Sequence, residues 1–166
     1  MFELLGWGLL SLHYILLCVL CLFGLHRLSM VFRWYKYKDK APENTEQFTD
    51  LPKVTIQIPV YNERNVIGRI LDQTVLMDYP LDRLQIQVVD DSTDDTFDLI
   101  AGLVKAYQHH GINIQHVHRL NRVGFKAGAL RDAMATATGE FIAIFDADFM
   151  PPTDFLQKTI HQFTNS

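Results

Sequence analysis

The sequence predicts an α/β protein with a mainly parallel sheet, preceded by one transmembrane helix. Two observations support this prediction. An uncharged apolar run occupies residues 4–25, and from residue 53 onward short β-type segments alternate with segments of helical periodicity. Strands that alternate with helices form right-handed βαβ units, which build a parallel sheet covered by helices. We therefore expect an anchor at 1–40, a linker at 41–52 and an α/β domain at 53–166.

The apolar run Leu4–Leu25 contains no Asp, Glu, Lys or Arg. As a helix it would rise about 33 Å, enough to cross the hydrocarbon core of a bilayer. The other interpretation, a hydrophobic helix inside a soluble core, remains open. Five basic residues follow the run and none precedes it, so the rule that basic flanks stay in the cytosol predicts a cytosol-facing domain. We expect an integral protein of a bacterial inner membrane, or of a Golgi or plasma membrane, with an interfacial belt formed by Trp34, Tyr35 and Tyr37.

Charge divides along the same boundary. Residues 1–40 hold five Lys or Arg and two acidic residues, whereas residues 41–166 hold ten and seventeen, a net charge of −7 for the second part. Nucleic-acid binding needs a basic face, so we expect no nucleic-acid partner. The cysteines, Cys18 and Cys21, lie inside the apolar run, where we interpret them as small hydrophobic residues of the membrane helix.

Four segments of the domain have the composition of β-strands. The first, Val54–Pro59, alternates β-branched with polar side chains. The last, Phe141–Phe145, is uniformly apolar, as expected of a strand that is buried on both faces. The second and third strands are expected at Leu84–Val89 and Ile112–Val117.

Four further segments show apolar residues at helical spacing or helix boundary signals. We expect helices at 65–76, 94–110, 126–137 and 153–163. Ser92 is the expected N-cap of the second of these helices. Asp94 and Asp95 would then lie in its first turn, where the helix dipole stabilises negative charge.

Acidic residues follow the second and fourth strands. Asp90 and Asp91 end the second strand, and Asp146 and Asp148 follow the fourth. The carboxyl ends of parallel strands meet at the edge of the sheet where ligands bind. Clustered carboxylates repel each other unless a cation lies between them. Their oxygens suit Mg²⁺ or Mn²⁺, and such an ion could in turn hold a diphosphate.

The remaining polar segments narrow the chemistry further. Neither the dinucleotide fingerprint nor a phosphate loop of the Walker type is present. Lys126 begins a helix within the basic, glycine-containing segment 119–130, where a lysine and free backbone N–H groups could meet phosphate. A basic loop with helix-start glycines is an equally good interpretation of that segment alone. His116 and His118 alternate on the third strand and are interpreted as structural.

Four motifs together resemble the family 2 processive glycosyltransferases, in particular the cellulose-synthase-like enzymes of the glucomannan and xyloglucan-backbone branches. The D-x-D motif alone is weak, but four motifs in the family's order are specific. They are VTIQIPVYNE at 54–63, IQVVDDSTDD at 86–95, GFKAGAL at 124–130 and FDADFMPPTDFL at 145–156. The resemblance implies a GT-A fold, of which residues 53–166 would form the nucleotide-binding half.

The resemblance also implies two sets of site residues. A divalent cation, Mg²⁺ or Mn²⁺, falls to Asp146 and Asp148, whose catalytic role is to stabilise the departing nucleotide diphosphate. The contacts to the nucleotide sugar fall, by the same resemblance, to Tyr61, Glu63, Asp90, Asp91, Lys126 and Asp146.

The expected activity is that of a membrane-anchored inverting glycosyltransferase, which transfers a hexose from UDP-glucose or GDP-mannose to a growing β-glycan acceptor. The family's general base, in a T-E-D motif, and its Q-x-x-R-W motif would lie beyond Ser166. We therefore expect residues 1–166 to form the anchor and donor-binding part of a longer protein and to polymerise nothing alone. A non-catalytic nucleotide-sugar-binding membrane subunit or sensor is the alternative. A D-x-D phosphatase is a weaker one, because its motif needs Thr or Val where Met150 stands.

Overall fold

The computed structural model describes residues 2–38 and 46–164, which fall into two units. The first unit is a single helix, α1 (Phe2–Tyr37), and its described side chains from Gly6 onward are all exposed. Its segment Gly6–Tyr37 is long and apolar enough to cross a membrane by length and composition. The helix thus extends well beyond the apolar run and includes the aromatic residues of the expected interfacial belt.

The second unit is an α/β domain built on a four-stranded parallel sheet, which confirms the predicted fold class. Its strands are β1 (Val54–Val60), β2 (Leu84–Asp90), β3 (Ile114–His118) and β4 (Phe141–Ile144). They are ordered β3-β2-β1-β4, and every pair is parallel. The register aligns the ends of three strands, because Asp90 pairs with both Val60 and His118.

Helices cover both faces of this sheet. They are α2 (Arg64–Val75), α3 (Thr96–His109), α4 (Phe125–Ala133) and α5 (Phe155–Ile160). The main core packs the isoleucines of β1 and β2 against the apolar faces of α2 and α3. A smaller cluster on the opposite face packs Val89 against Ala129 and Ala133 of α4. Side chains alternate between the faces of a strand, so successive residues of β2 meet different helices.

Polar side chains of β1 and β2 are also buried, on the α4 face of the sheet. Gln57 donates from Nε2 to Gln87 Oε1 at 2.9 Å, and Gln87 donates to Thr136 Oγ1 at 2.9 Å. Gln85 accepts from the Thr55 hydroxyl at 2.7 Å and donates to the Thr136 carbonyl at 3.0 Å. These bonds satisfy amide groups that would otherwise be costly to bury, and they explain the polar residues that alternate along β1.

The prediction that Phe141–Phe145 is a strand buried on both faces is wrong. β4 has four residues, none of them fully buried, and Ile144 is 49% exposed. The physical reason is position: β4 lies at the edge of the described sheet and pairs only with β1. Phe145, one residue beyond the strand, is the buried member of the run.

The prediction that Ser92 caps the following helix is also wrong. α3 begins at Thr96, whose backbone N–H donates to the Asp94 carboxylate at 3.0 Å. The Ser92 hydroxyl instead accepts a hydrogen bond from the Asn62 N–H at 2.9 Å. Ser92 therefore ties the end of β2 to the end of β1.

Residues 46–52, the second half of the predicted linker, pack on the α/β unit. The ring of Phe48 lies 6.2 Å from that of Phe141, and its N–H donates to His161 Nδ1 at 3.1 Å. The Pro52 carbonyl accepts from the Tyr79 hydroxyl at 2.6 Å. Residues 41–45 lie outside the described residues, so the predicted domain boundaries stay a prediction.

Candidate functional site

Successive strands are added first on one side of β1 and then on its other side. From β1 the chain proceeds to β2 and β3, and then returns to place β4 on the other side of β1. Ligands of parallel α/β sheets bind outside the carboxyl ends of the strands at such a switch point. A cavity of about 500 Å³ lies there, lined by Pro59, Val60, Tyr61, Glu63, Val66, Val89, Asp91, Arg122, Lys126, Ala129, Asp146, Ala147 and Asp148.

The cavity gathers most of the predicted site residues from four separate segments of the chain. Four of its lining residues are acidic and two are basic. Burial, together with the nearby charges of Asp148 and Asp146, raises the pKa of Glu63, and Lys126 opposes this only in part. The cavity therefore carries an excess of negative charge on the side where β1 and β4 end.

Lys126 reaches across the cavity to the fourth strand. Its ammonium group donates to the Asp146 carboxylate, and both side chains are more than half exposed. Lys126 lies in the first turn of α4, where backbone N–H groups point out of the helix end. The contact places the Lys126 ammonium group next to the first aspartate of the D-x-D motif, at the mouth of the cavity.

Two glycines allow α4 to begin this close to the sheet. Gly124 precedes the helix with a φ of +76°, a conformation that favours glycine. A Cβ on Gly128 would lie 2.1 Å from the Val123 carbonyl oxygen. Phe125, with a φ of 50°, also holds a conformation that is rare for a bulky residue. The tight turn at 123–125 directs Lys126 toward the cavity.

Asp91 lies in the cavity wall but is already paired with an arginine. Arg119 Nε and Nη2 donate to the two carboxylate oxygens of Asp91 at 2.8 and 2.7 Å. The same guanidinium donates to Asp132 at 2.9 Å and to the carbonyls of Val123 and Phe125 at 3.3 and 3.2 Å. Arg119 therefore fastens the end of β2, the turn before α4 and α4 itself to one another.

Asp90 is not among the residues that line the cavity. Its side chain is fully buried on the α3 face of the sheet, where it bonds to the Ser92 N–H at 2.8 Å and to His116 Nε2 at 2.8 Å. Asp90 and Asp91 are neighbours in a strand, so their side chains take opposite faces. The predicted contact of Asp90 with the nucleotide thus stays a prediction, and the geometry gives this carboxylate other partners.

A stacked pair stands at the rim of the cavity. The guanidinium carbon of Arg122 lies 3.2 Å from the centroid of the Tyr61 ring, within the range of a cation–π interaction. Asn62, the next residue, has a φ of 55° and accepts from the Thr93 N–H at 2.9 Å through its side chain. This contact and the Ser92 bond fix the backbone that carries Tyr61 and Glu63.

The sequence interpretation missed Arg119, Arg122 and Asn62. Arg119 follows β3 at the same edge of the sheet as the acidic residues, and this position is the signal that could have identified it. For Arg122 and Asn62 no comparable signal exists, because both depend on loop conformation. Each supports a predicted residue: Arg119 holds Asp91, Arg122 covers Tyr61, and Asn62 orients Glu63.

The carboxylates of the cavity fit a hard divalent cation. Asp146 and Asp148 are exposed to the cavity on a turn after β4, and Glu63 lies close enough for their charges to raise its pKa. Oxygen donors of this kind suit Mg²⁺ or Mn²⁺. The only described bond to these two aspartates from a charged side chain is that of Lys126 to Asp146.

A parallel sheet with this strand order and an acidic, cation-suited cavity at its switch point agree with the GT-A fold that the four motifs imply. The chain belongs to the family described as Glycosyl transferase family 2, whose profile matches residues 55–166. The family resemblance identified from the four motifs is thereby confirmed, and it leaves no support for the phosphatase alternative.

Several relatives of this chain are named as glucomannan 4-beta-mannosyltransferases. Probable glucomannan 4-beta-mannosyltransferase 3 of Arabidopsis thaliana is 42% identical over 134 residues, which are 78% of this chain and 24% of that protein. Glucomannan 4-beta-mannosyltransferase 1 of Oryza sativa subsp. japonica is 43% identical over 128 residues, 74% of this chain and 25% of that protein. The chain thus spans about a quarter of the length of these relatives.

Solved structures agree with the fold. The mannosyltransferase PcManGT from Pyrobaculum calidifontis, in complex with GDP-Man and Mn²⁺, superposes with a TM-score of 0.71 at 32% identity, over 88% of this chain and 43% of that one. TarS 1–349 of S. aureus, in complex with UDP-GlcNAc, gives a TM-score of 0.52 at 25% identity, over 64% of this chain and 29% of that one. Both neighbours bind nucleotide sugars.

Proposed function

We propose that this chain is the donor-binding part of a membrane-anchored, inverting β-hexosyltransferase. The observation that carries the proposal is the convergence of Glu63, Asp146, Asp148 and Lys126 on one cavity at the switch point of the sheet. Carboxylates and a lysine that line one cavity suit a cation and a diphosphate together. Membership of family 2 supports the same reaction class.

Asp146 and Asp148 would hold the cation, Mg²⁺ or Mn²⁺. When bound, the ion neutralises the charge that develops on the diphosphate as the glycosidic bond breaks. Lys126 would exchange its bond to Asp146 for the diphosphate, since its side chain is exposed and reaches the same carboxylate. Tyr61 and Arg122, stacked on each other at the rim, would together contact the nucleotide, because both line the cavity.

Arg119 keeps this arrangement in place without a share in the chemistry. It joins Asp91 to the turn that carries Lys126, so the end of β2 and the start of α4 keep their relative positions. The carboxylate oxygens of Asp91 are both engaged, and a nucleotide would meet Asp91 together with Arg119 as one polar surface.

We propose GDP-mannose as the donor in preference to UDP-glucose. The relatives named as glucomannan mannosyltransferases and the neighbour solved with GDP-Man and Mn²⁺ support mannose transfer. The acceptor would be a β-glycan, to which the enzyme adds one hexose at a time. α1 would cross a lipid bilayer, and the basic residues that follow its apolar run would keep the α/β domain in the cytosol.

Calorimetric titration of the full chain in detergent micelles tests the proposal. GDP-mannose and UDP-glucose are each added with and without Mn²⁺, to the unchanged chain and to Asp148→Asn. Asp98→Asn is the matched control, because Asp98 is an exposed aspartate on α3, outside the cavity lining. We expect Mn²⁺-dependent binding of GDP-mannose that Asp148→Asn loses and Asp98→Asn keeps.

Other outcomes would contradict it. Binding that is equal in both variants would remove the D-x-D motif from the site. Tighter binding of UDP-glucose would overturn the donor and leave the reaction class standing. No binding of either sugar by a chain with native circular dichroism would overturn the donor-binding role.

A further inference from the structure

A second cluster of polar side chains lies at the ends of β2 and β3, on the α3 face of the sheet and outside the lining of the donor cavity. It contains Asp90, His116 and His118, which the parallel register brings to one face. The ring of Phe97 on α3 covers both imidazoles, with centroid distances of 5.1 and 4.7 Å. None of the three polar residues lines the donor cavity, and the proposed reaction uses none of them.

The geometry converges on one carboxylate oxygen. Asp90 Oδ2 lies 2.8 Å from His116 Nε2 and 3.4 Å from His118 Nδ1. All three potential ligand atoms lie within 4.8 Å of one another. The other oxygen, Oδ1, accepts the Ser92 N–H at 2.8 Å. The backbone thus fixes the carboxylate so that its free oxygen faces the two imidazoles.

Burial makes this cluster different from a surface group of charges. The Asp90 side chain is fully buried, and those of His116 and His118 are 12% and 27% exposed. Burial by itself raises the pKa of Asp90, but the hydrogen bonds from His116 and Ser92 outweigh it and hold that pKa below its usual value. Asp90 is therefore a buried carboxylate that keeps its negative charge at neutral pH, beside two partly exposed imidazoles.

We propose that Asp90, His116 and His118 form a second cation site, which takes Zn²⁺ or another divalent ion that prefers imidazole. Two imidazoles and a carboxylate are a common ligand set for zinc, with bonds of about 2.0–2.2 Å. Tetrahedral ligands at that length lie about 3.3 Å apart. His118 already has this separation from Asp90, and His116 would withdraw from Asp90 by a few tenths of an ångström. The ligand atoms of the two imidazoles lie within 4.8 Å of each other and would move closer together around the ion.

The chemistry separates this site from the donor site. The D-x-D turn offers carboxylate oxygens, which suit Mg²⁺ and Mn²⁺, whereas imidazole nitrogens suit zinc. A bound ion would also join the ends of β2 and β3 directly behind Asp91 and Arg119. Because it binds only the folded arrangement, it would raise the stability of the α/β unit.

The test uses the full chain in micelles, with any affinity tag removed and with Asp146→Asn and Asp148→Asn introduced to eliminate the donor cation site. Co²⁺ is the probe, since its visible absorption reports tetrahedral nitrogen and oxygen ligands, and Zn²⁺ is then added to displace it. His118→Gln removes one ligand, and His109→Gln at the exposed end of α3 is the matched control.

We expect one equivalent of Co²⁺ with intense visible bands, displaced by Zn²⁺ and retained by His109→Gln. His118→Gln should bind more weakly by at least the roughly tenfold that loss of an outer partner of a metal ligand costs. Absence of the bands in the chain that carries only Asp146→Asn and Asp148→Asn would show that the cluster binds no Co²⁺ and would overturn the proposal. Equal Co²⁺ affinity after His118→Gln would overturn it as well. Neither result bears on the proposed donor site, because every protein in this experiment carries Asp146→Asn and Asp148→Asn.

A measurement without variants at the cluster guards against misfolding. Diethylpyrocarbonate modifies accessible imidazoles, and mass spectrometry of the peptide around residues 112–122 reports His116 and His118. Zn²⁺ should slow their modification severalfold relative to His109 and His110, which are exposed. Equal rates with and without Zn²⁺ would contradict the site.

Discussion

Replacement of Arg119 by methionine tests whether one arginine holds the donor cavity together. The side chains of Arg119 and Asp91 are only 8% and 5% exposed, and they share two short hydrogen bonds. Removal of one partner of a buried pair costs about 3–5 kcal/mol, because the remaining charge stays buried without compensation. Asp91 borders the cavity, so we expect the lower limit, about 3 kcal/mol.

This loss is large relative to the stability of a domain, which is about 5–15 kcal/mol. With a urea slope of about 1–3 kcal/mol per molar, the midpoint of unfolding should fall by about 1–3 M. Far-UV circular dichroism of the full chain in micelles follows the transition. Both tryptophans, Trp7 and Trp34, lie in α1, so their fluorescence reports separately whether α1 is unchanged.

Arg131→Met is the matched control for this experiment. Arg131 also donates to Asp132 from α4, at 2.9 Å, but its side chain is 74% exposed. Exposed ion pairs contribute about 0–1 kcal/mol, so this variant should unfold close to the unchanged chain. Arg119→Lys keeps the charge but loses the paired geometry, and should lie between the two. Equal midpoints of unfolding for Arg119→Met and Arg131→Met would show that the buried Arg119–Asp91 pair stabilises the domain no more than the exposed Arg131–Asp132 pair does.

Three further predictions concern the backbone and one tyrosine. Gly128→Ala should cost about 1–3 kcal/mol by urea titration, because its Cβ meets the Val123 carbonyl, whereas Gly102→Ala, with open space around it, should not destabilise α3. Asn62→Ala should be about 1 kcal/mol less stable than Asn62→Gly, since residue 62 has a φ of 55°, and equal stabilities would contradict this. Burial and a hydrogen bond to Asp72 raise the pKa of Tyr107 to about 12, so the stability linked to its neutral form should be lost as the pH rises from about 10 to 12. Absorbance at 295 nm should show a late phase that Tyr107→Phe removes.

Much of the fold followed from the sequence because its signals are local. Alternation of strand and helix patterns predicts a parallel sheet, and acidic residues after two strands predict a site at one edge. The uniformly apolar run 141–145 was misinterpreted because composition reports hydrophobicity and not position in the sheet. β4 is an edge strand of the described sheet, and the order of strands is a property of the whole domain.

The site was predictable only as far as residue type and strand position determine it. Asp91, Asp146 and Asp148 line the cavity, as their positions after strands suggested, and so does Lys126, which was predicted from its place at the start of a helix. Asp90 and Asp91 point to opposite faces because side chains alternate at the end of a strand. The sequence interpretation treated the two aspartates as one acidic cluster and did not apply this alternation. The Arg119 bonds depend on a turn whose conformation no local pattern specifies.

We propose that a divalent cation, held by Asp146 and Asp148, joins the protein to a nucleotide diphosphate. Electron paramagnetic resonance of Mn²⁺ tests it directly, because the signal of the free ion falls when the ion is bound by protein. We predict that GDP-mannose increases the uptake of Mn²⁺ by the full chain and that Asp148→Asn abolishes this increase. Equal uptake by the chain and the variant, or uptake that GDP-mannose leaves unchanged, would contradict the account.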